Sequence, residues 1–85
     1  MTTEDEGEPK AELEIFQYEN GWGYQIVMKQ KVLIYQPTIP ALDTIIPFPD
    51  EVSTRKVGIL VLKRFNAHRN FSVSKQEVLQ CLPSY

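Results

Sequence analysis

One histidine, one cysteine and eleven carboxylates are the groups in this 85-residue chain that could serve as base, nucleophile or acid. A nucleophile needs a base within hydrogen-bond reach and a third group to orient that base. His68 stands beside Arg69 in a segment that reads as a loop, whereas Cys81 falls in a short second helix, and no orienting residue accompanies them. A lone surface histidine of this kind is normally solvated. The carboxylates occupy structural positions: Asp50 and Glu51 begin a helix, Glu12 and Glu14 flank a strand, and Asp43 stands alone in a connector. Gly21 and Gly23 lack the spacing and the lysine of a phosphate-binding loop. A single cysteine excludes an intramolecular disulfide and a cysteine-based zinc site, and reads as a buried, inert thiol. The residues therefore argue against an enzyme and call for no cofactor and no metal.

What remains is the chemistry of recognition. Tyr18, Trp22, Tyr24 and Tyr35 are rings with a polar tip, the type that anchors interfaces. A small sheet with an exposed edge can accept an extended segment as a further strand. The sequence thus predicts a protein-interaction or structural module. Its partner would be a protein or peptide at the sheet edge, or a second copy of the chain. For Trp22 two roles stand open, packing on the core or rimming an exposed site. The alternative is a weak nucleic-acid-binding module using the sheet aromatics with Lys29, Lys31, Arg55, Lys56, Lys63, Arg64 and Arg69. Charge opposes it. Residues 1–12 carry five acids against Lys10, a sum of −4, and the remaining six acids and eight bases sum to +2. Phosphate contacts need a stronger basic footprint than that.

The elements that must position these rings follow from periodicity. Tyr24, Ile26 and Met28 alternate with Gln25, Val27 and Lys29, the mark of a half-buried strand. Val32-Leu33-Ile34-Tyr35 follows as its hairpin partner, and Leu13 to Glu19 precedes it, with Phe16 and Tyr18 on one face and Leu13, Ile15 and Gln17 on the other. Asn20-Gly21 is the stronger turn signal. Lys29-Gln30-Lys31 has no glycine and predicts a longer or looser connection. Four prolines between Gln36 and Pro49 fix an extended connector whose apolar residues pack on the domain. Asp50 then caps a helix running to about Asn66, with Val57, Leu60, Val61 and Phe65 on one stripe. Gly58 would admit a large neighbour such as Trp22 or Tyr24. Ser74 and Glu77 form a capping box for a short helix with Val78, Leu79 and Leu82 inward.

The expected fold class is α+β: a three-stranded antiparallel meander packed by one main helix, with a short C-terminal helix. The organisation is an acidic disordered tail over residues 1–11 and one small domain over 12–85. With 42% hydrophobic residues the chain is globular, yet a core of this size buries only about 60% of the unfolded surface. The longest apolar run, Val57 to Leu62, is far short of the roughly 20 residues of a membrane span, so no transmembrane segment is predicted. The first twelve residues lack the basic start and apolar stretch of a secretory leader, which by itself favours a cytoplasmic address.

Gly21-Trp22-Gly23-Tyr24, Ile34-Tyr35-Gln36-Pro37-Thr38-Ile39-Pro40-Ala41, Pro47-Phe48 before a helix, and Val73-Ser74-Lys75-Gln76-Glu77-Val78-Leu79 together carry a resemblance. Over about residues 13 to 82 the chain resembles a family of small bacterial domains, domain of unknown function 4907. It departs from the family pattern at Lys29-Gln30-Lys31, where Asp-Gly or Asn-Gly is usual, and at Gly58, where alanine is more typical. No activity attaches to that family. The resemblance implies a secretory or lipoprotein leader ahead of the domain. The acidic tail would then be a spacer from a cell-envelope anchor, and the address extracytoplasmic.

Overall fold

Period-two alternation builds a sheet from β1 (Glu12–Tyr18), β2 (Gly21–Met28) and β3 (Lys31–Gln36), all antiparallel and in spatial order β1-β2-β3. In the computed structural model, which describes residues 10–83, α1 (Glu51–His68) lies across β1 and β2, and α2 (Lys75–Cys81) packs on α1. This is the α+β meander-and-helix architecture that the periodicity predicts. The expected tail lies outside the described residues up to residue 9. Ala11, assigned to that tail, is instead buried, and its amide donates to Asn66 Oδ1 of α1 at 3.1 Å.

Both turns differ from expectation. Tyr18 pairs with Gly21, so the first turn is Glu19-Asn20, with Glu19 in the left-handed region at φ 54°, and Gly21 opens β2 instead of making the turn. Gly21 is needed for space: a Cβ there would lie 2.2 Å from the Phe48 carbonyl oxygen. The second turn is not loose. Met28 pairs with Lys31 across Lys29-Gln30 alone, with φ of 54° and 67°. Two L residues thus take the geometry of a tight hairpin turn that favours Asn-Gly. The pairing of Met28 with Lys31 holds the connection to two residues, and the extra residue of β3 is taken up further along as a bulge at Leu33.

β3 ends at Gln36, before Pro37, and the connector takes its place beside β2. Trp22 N donates to Phe48 O at 3.0 Å and Phe48 N to Trp22 O at 2.9 Å, an isolated antiparallel bridge. Within the connector Ile39 N donates to Ile46 O at 2.8 Å. Ile39 and Phe48 are buried, as an extended segment packed on the domain requires, but Ile45 is 85% exposed and Ile46 is also exposed. The bond between Ile39 and Ile46 closes the connector into a loop whose tip carries Ile45 outward.

Asp50 caps α1 by accepting from Ser53 N at 2.7 Å, and that backbone bond holds its carboxyl below the usual carboxylate range. Val57, Val61 and Phe65 form the buried stripe, while Ser53 and Thr54, also buried, return their hydroxyls to the Asp50 carbonyl. The helix runs to His68 and ends on Arg69 at φ 55°, so His68 closes α1 and is not in a loop. Gly58 admits Leu13 of β1, not Trp22 or Tyr24; an added Cβ would lie 2.7 Å from Leu13 Cδ1. The Ser74–Glu77 capping box starts α2, whose Val78 is buried, whereas Leu79, expected to face inward beside it, is half exposed. Arg64 joins the helices by donating to Glu77 and to the Ser72 carbonyl.

Candidate functional site

Pairing register assigns every strand residue to a face, since directly opposed residues share one. Ile15 opposes Tyr24 and Leu13 opposes Ile26, so these four face α1. Tyr24 is 1% exposed, tilts against Phe48 with ring centroids 6.0 Å apart, and its phenol is raised well above its ordinary pKa by burial. Trp22 lies on the same face, partly buried against the core. Of the four rings named from the sequence, these two belong to the packing layer. Tyr24 cannot meet a ligand in this fold, because α1 and Phe48 cover it.

The opposite face carries Glu12, Glu14, Phe16 and Tyr18 of β1, Gly21, Gly23, Gln25 and Val27 of β2, and Val32 and Tyr35 of β3. No helix packs over it among the described residues. Phe16 opposes Gly23, and with no side chain there its ring lies over the glycine: Phe16 Cε1 is 2.9 Å from where a Cβ would stand. The ring thereby spans β2 and stacks on Tyr35, with centroids 5.3 Å apart and planes within 8°. Tyr35 remains 55% exposed and Val32, further along the same strand, 53%. Gln25 Nε2 donates to Glu14 Oε1 at 2.7 Å beside the stack. The candidate site is therefore a flat aromatic and aliphatic platform ending at an open edge strand.

Tyr18 and Tyr35 lie on this platform, and Phe16 joins them although it is not among the rings that the sequence singles out. The signal for Phe16 was the glycine opposite it. Placing the first turn one residue too late pairs Tyr18, not Phe16, with Gly23, and so hides the stack.

The groups weighed for catalysis do not assemble. His68 is exposed at the end of α1. Cys81, expected to be buried, is half-buried and lines a shallow cavity of about 120 Å³ with Asp50, Val52, Ser53, Lys56, Leu82 and Pro83. Among the described residues no cluster of His, Cys, Asp or Glu has the grouping of a metal site, and no helix is long and apolar enough to cross a membrane. The cations disperse as well: Arg55 pairs with Glu51 at 2.9 Å, Arg64 with Glu77, and Arg69 lies 4.9 Å over the Phe65 ring. Two bonds from Arg64 and one from the Ser74 amide hold the Glu77 carboxyl down to about 2.

No curated protein and no solved structure gives a significant match to the chain. The family profile described as a domain of unknown function, DUF4907, matches residues 14–80, from the middle of β1 to the last turn of α2. That span takes in most of β1, all of β2 and β3, the connector, α1 and nearly all of α2, and the chain belongs to the DUF4907 family.

Proposed function

We propose that this domain is a non-enzymatic protein-interaction module that binds an extended segment of a protein partner at the open side of its sheet. The observation that carries this reading is the Phe16–Tyr35 stack, held over Gly23 on a face that no helix covers among the described residues. Main-chain bonds at a strand edge supply affinity in such binding, and rings beside the edge supply contact area at low cost in side-chain entropy. The platform carries no lysine or arginine, while Glu14 borders the rings, which disfavours a phosphate backbone there.

A displayed library of random peptides, selected on the wild-type domain and counter-selected on Tyr35→Glu, tests the reading. Enriched peptides should shift the backbone amide resonances of β3 and of Phe16 while leaving α2 unmoved. Failure of any sequence to enrich, or shifts confined to the helices, would overturn it.

A further inference from the structure

Resting on the reading that the sheet edge takes an extended strand, we infer that the strand is β3 of a second copy of this chain, paired antiparallel about a twofold axis between Leu33 and Ile34. β3 has one partner in the fold: α1 lies on β1 and β2, α2 lies on α1, and β2 alone contacts β3 among the described elements. Among the described residues no strand pairs with its outer edge from Lys31 to Gln36, beyond which the connector takes over beside β2. Val32 and Tyr35 are the exposed large hydrophobic residues of the sheet, and both belong to this strand.

The bulge opposite Ile26 and Val27 makes the strand self-complementary. Ile34 opposes Ile26 and Val32 opposes Val27, which leaves Leu33 as the extra residue, packed with Ile34 against the core. Lys31, Leu33, Ile34 and Gln36 therefore take the helix side, and Val32 and Tyr35 the open side. That pattern reads the same in both directions. Twofold pairing about its centre sets Leu33 against Ile34, Val32 against Tyr35 and Lys31 against Gln36 of the partner copy. Each residue then meets one on its own face, as pairing in a sheet demands. The one charge of the strand meets a neutral amide, so no like charges oppose. An isologous contact of this kind closes on itself as a dimer with a continuous six-stranded sheet, and the two platforms become neighbours on one face. β1 offers no equivalent, because Glu12 and Glu14 stand on its open face and its apolar residues are already half-buried.

A strand of this length is about 20 Å, and the contact falls at the small end of interface sizes, the class of weak encounters; area alone does not fix affinity, so exchange is sought around dissociation constants on the order of 10–100 µM. Sedimentation equilibrium of the full chain should show monomer–dimer exchange in that range. Tyr35→Lys and Val32→Lys should each weaken dimerisation by about tenfold or more, with circular dichroism confirming the fold. Register is read by disulfide trapping in a Cys81→Ser background. Val32→Cys with Tyr35→Cys should cross-link two chains on oxidation. Val32→Cys alone should not, since the two copies of that position lie about 10 Å apart along the strands and a disulfide needs Cα atoms within about 7 Å. Equal cross-linking by the single variant would overturn the register. A monomer mass up to about 1 mM would overturn the dimer, given the affinity expected of such a contact. In that case, displayed peptides that still shift β3 amides leave the interaction reading standing, and their absence removes both.

Discussion

On the inner face of the sheet, Tyr24 and Ile26 lie beneath Val57, Val61 and Phe65 with at most 1% of their surface exposed; on the outer face Tyr35 keeps 55% and Val32 53%. Both faces belong to the same strands, and both carry rings. The difference lies in what each ring packs against. Tyr24 has Phe48 and α1 around it, whereas Tyr35 has Phe16 and solvent. A core site gains from every neighbour it excludes from water, and a stacked surface pair gains only from itself. Stability is thus concentrated on one side of the pleat, and the rings of the other keep much of their surface in solvent.

Tyrosine truncation on the two sides is the sharpest way to break that contrast. Tyr24→Ala should cost about 3–5 kcal/mol in urea unfolding, since a large buried ring leaves a cavity. Tyr35→Ala should cost no more than about 0.5–1.5 kcal/mol, the worth of a stacked pair. Equal losses would mean that the outer stack is part of the core. Gly21→Ala comes next. Its methyl would stand 2.2 Å from the Phe48 carbonyl oxygen, a backbone atom that cannot swing aside, so the bridge to Trp22 must shift. Overpacking of this kind costs about 1–3 kcal/mol. Unchanged stability would show that the connector is not fastened there and that the inner layer is looser than its burial indicates.

The smallest effect concerns the junction of the helices and leaves the sheet alone. The Glu77 carboxyl is held at about 2 in the fold against 4.5 unperturbed, so the unfolded chain takes up its proton first as pH falls. The contribution is complete above pH 4.5 and is lost as pH falls from there through about 2. The melting temperature of wild type should therefore exceed that of Glu77→Gln near neutrality, with the gap closing towards pH 2. A gap that stays constant with pH would assign the effect of Glu77 to packing. Tyr35 amide shifts should be the same in both proteins, because the Arg64–Glu77 pair joins the two helices and neither helix packs on β3.

Much of this architecture is written in short stretches. Alternation over Tyr24 to Met28, the Asp50 cap, the Ser74–Glu77 box and the stripe of Val57, Val61 and Phe65 each depend on neighbours a few residues away and occur where their patterns place them; Leu60, expected in that stripe, is not among its buried residues. The turns were less legible. Asn20-Gly21 carries the residues of a tight turn, but the chain turns one residue earlier and keeps Gly21 for the passage of Phe48. Lys29-Gln30 carries none of those residues and turns tightly all the same, held by the strands on either side. In both cases a long-range contact outweighs a local preference.

By itself the sequence determined the elements, their caps and the two-sided character of each strand, because spacing of two or of three and four residues is a property of the local backbone. Which tyrosine would be buried and which exposed was left to the tertiary structure. That outcome depends on where α1 comes down, and α1 comes down on β1 and β2 because Gly58 receives Leu13 and Phe48 fills the place beside Tyr24. The Phe16–Tyr35 stack depends on a cross-strand register that pairs residues far apart in the chain. Burial is a sum over such neighbours, and folding alone brings them together.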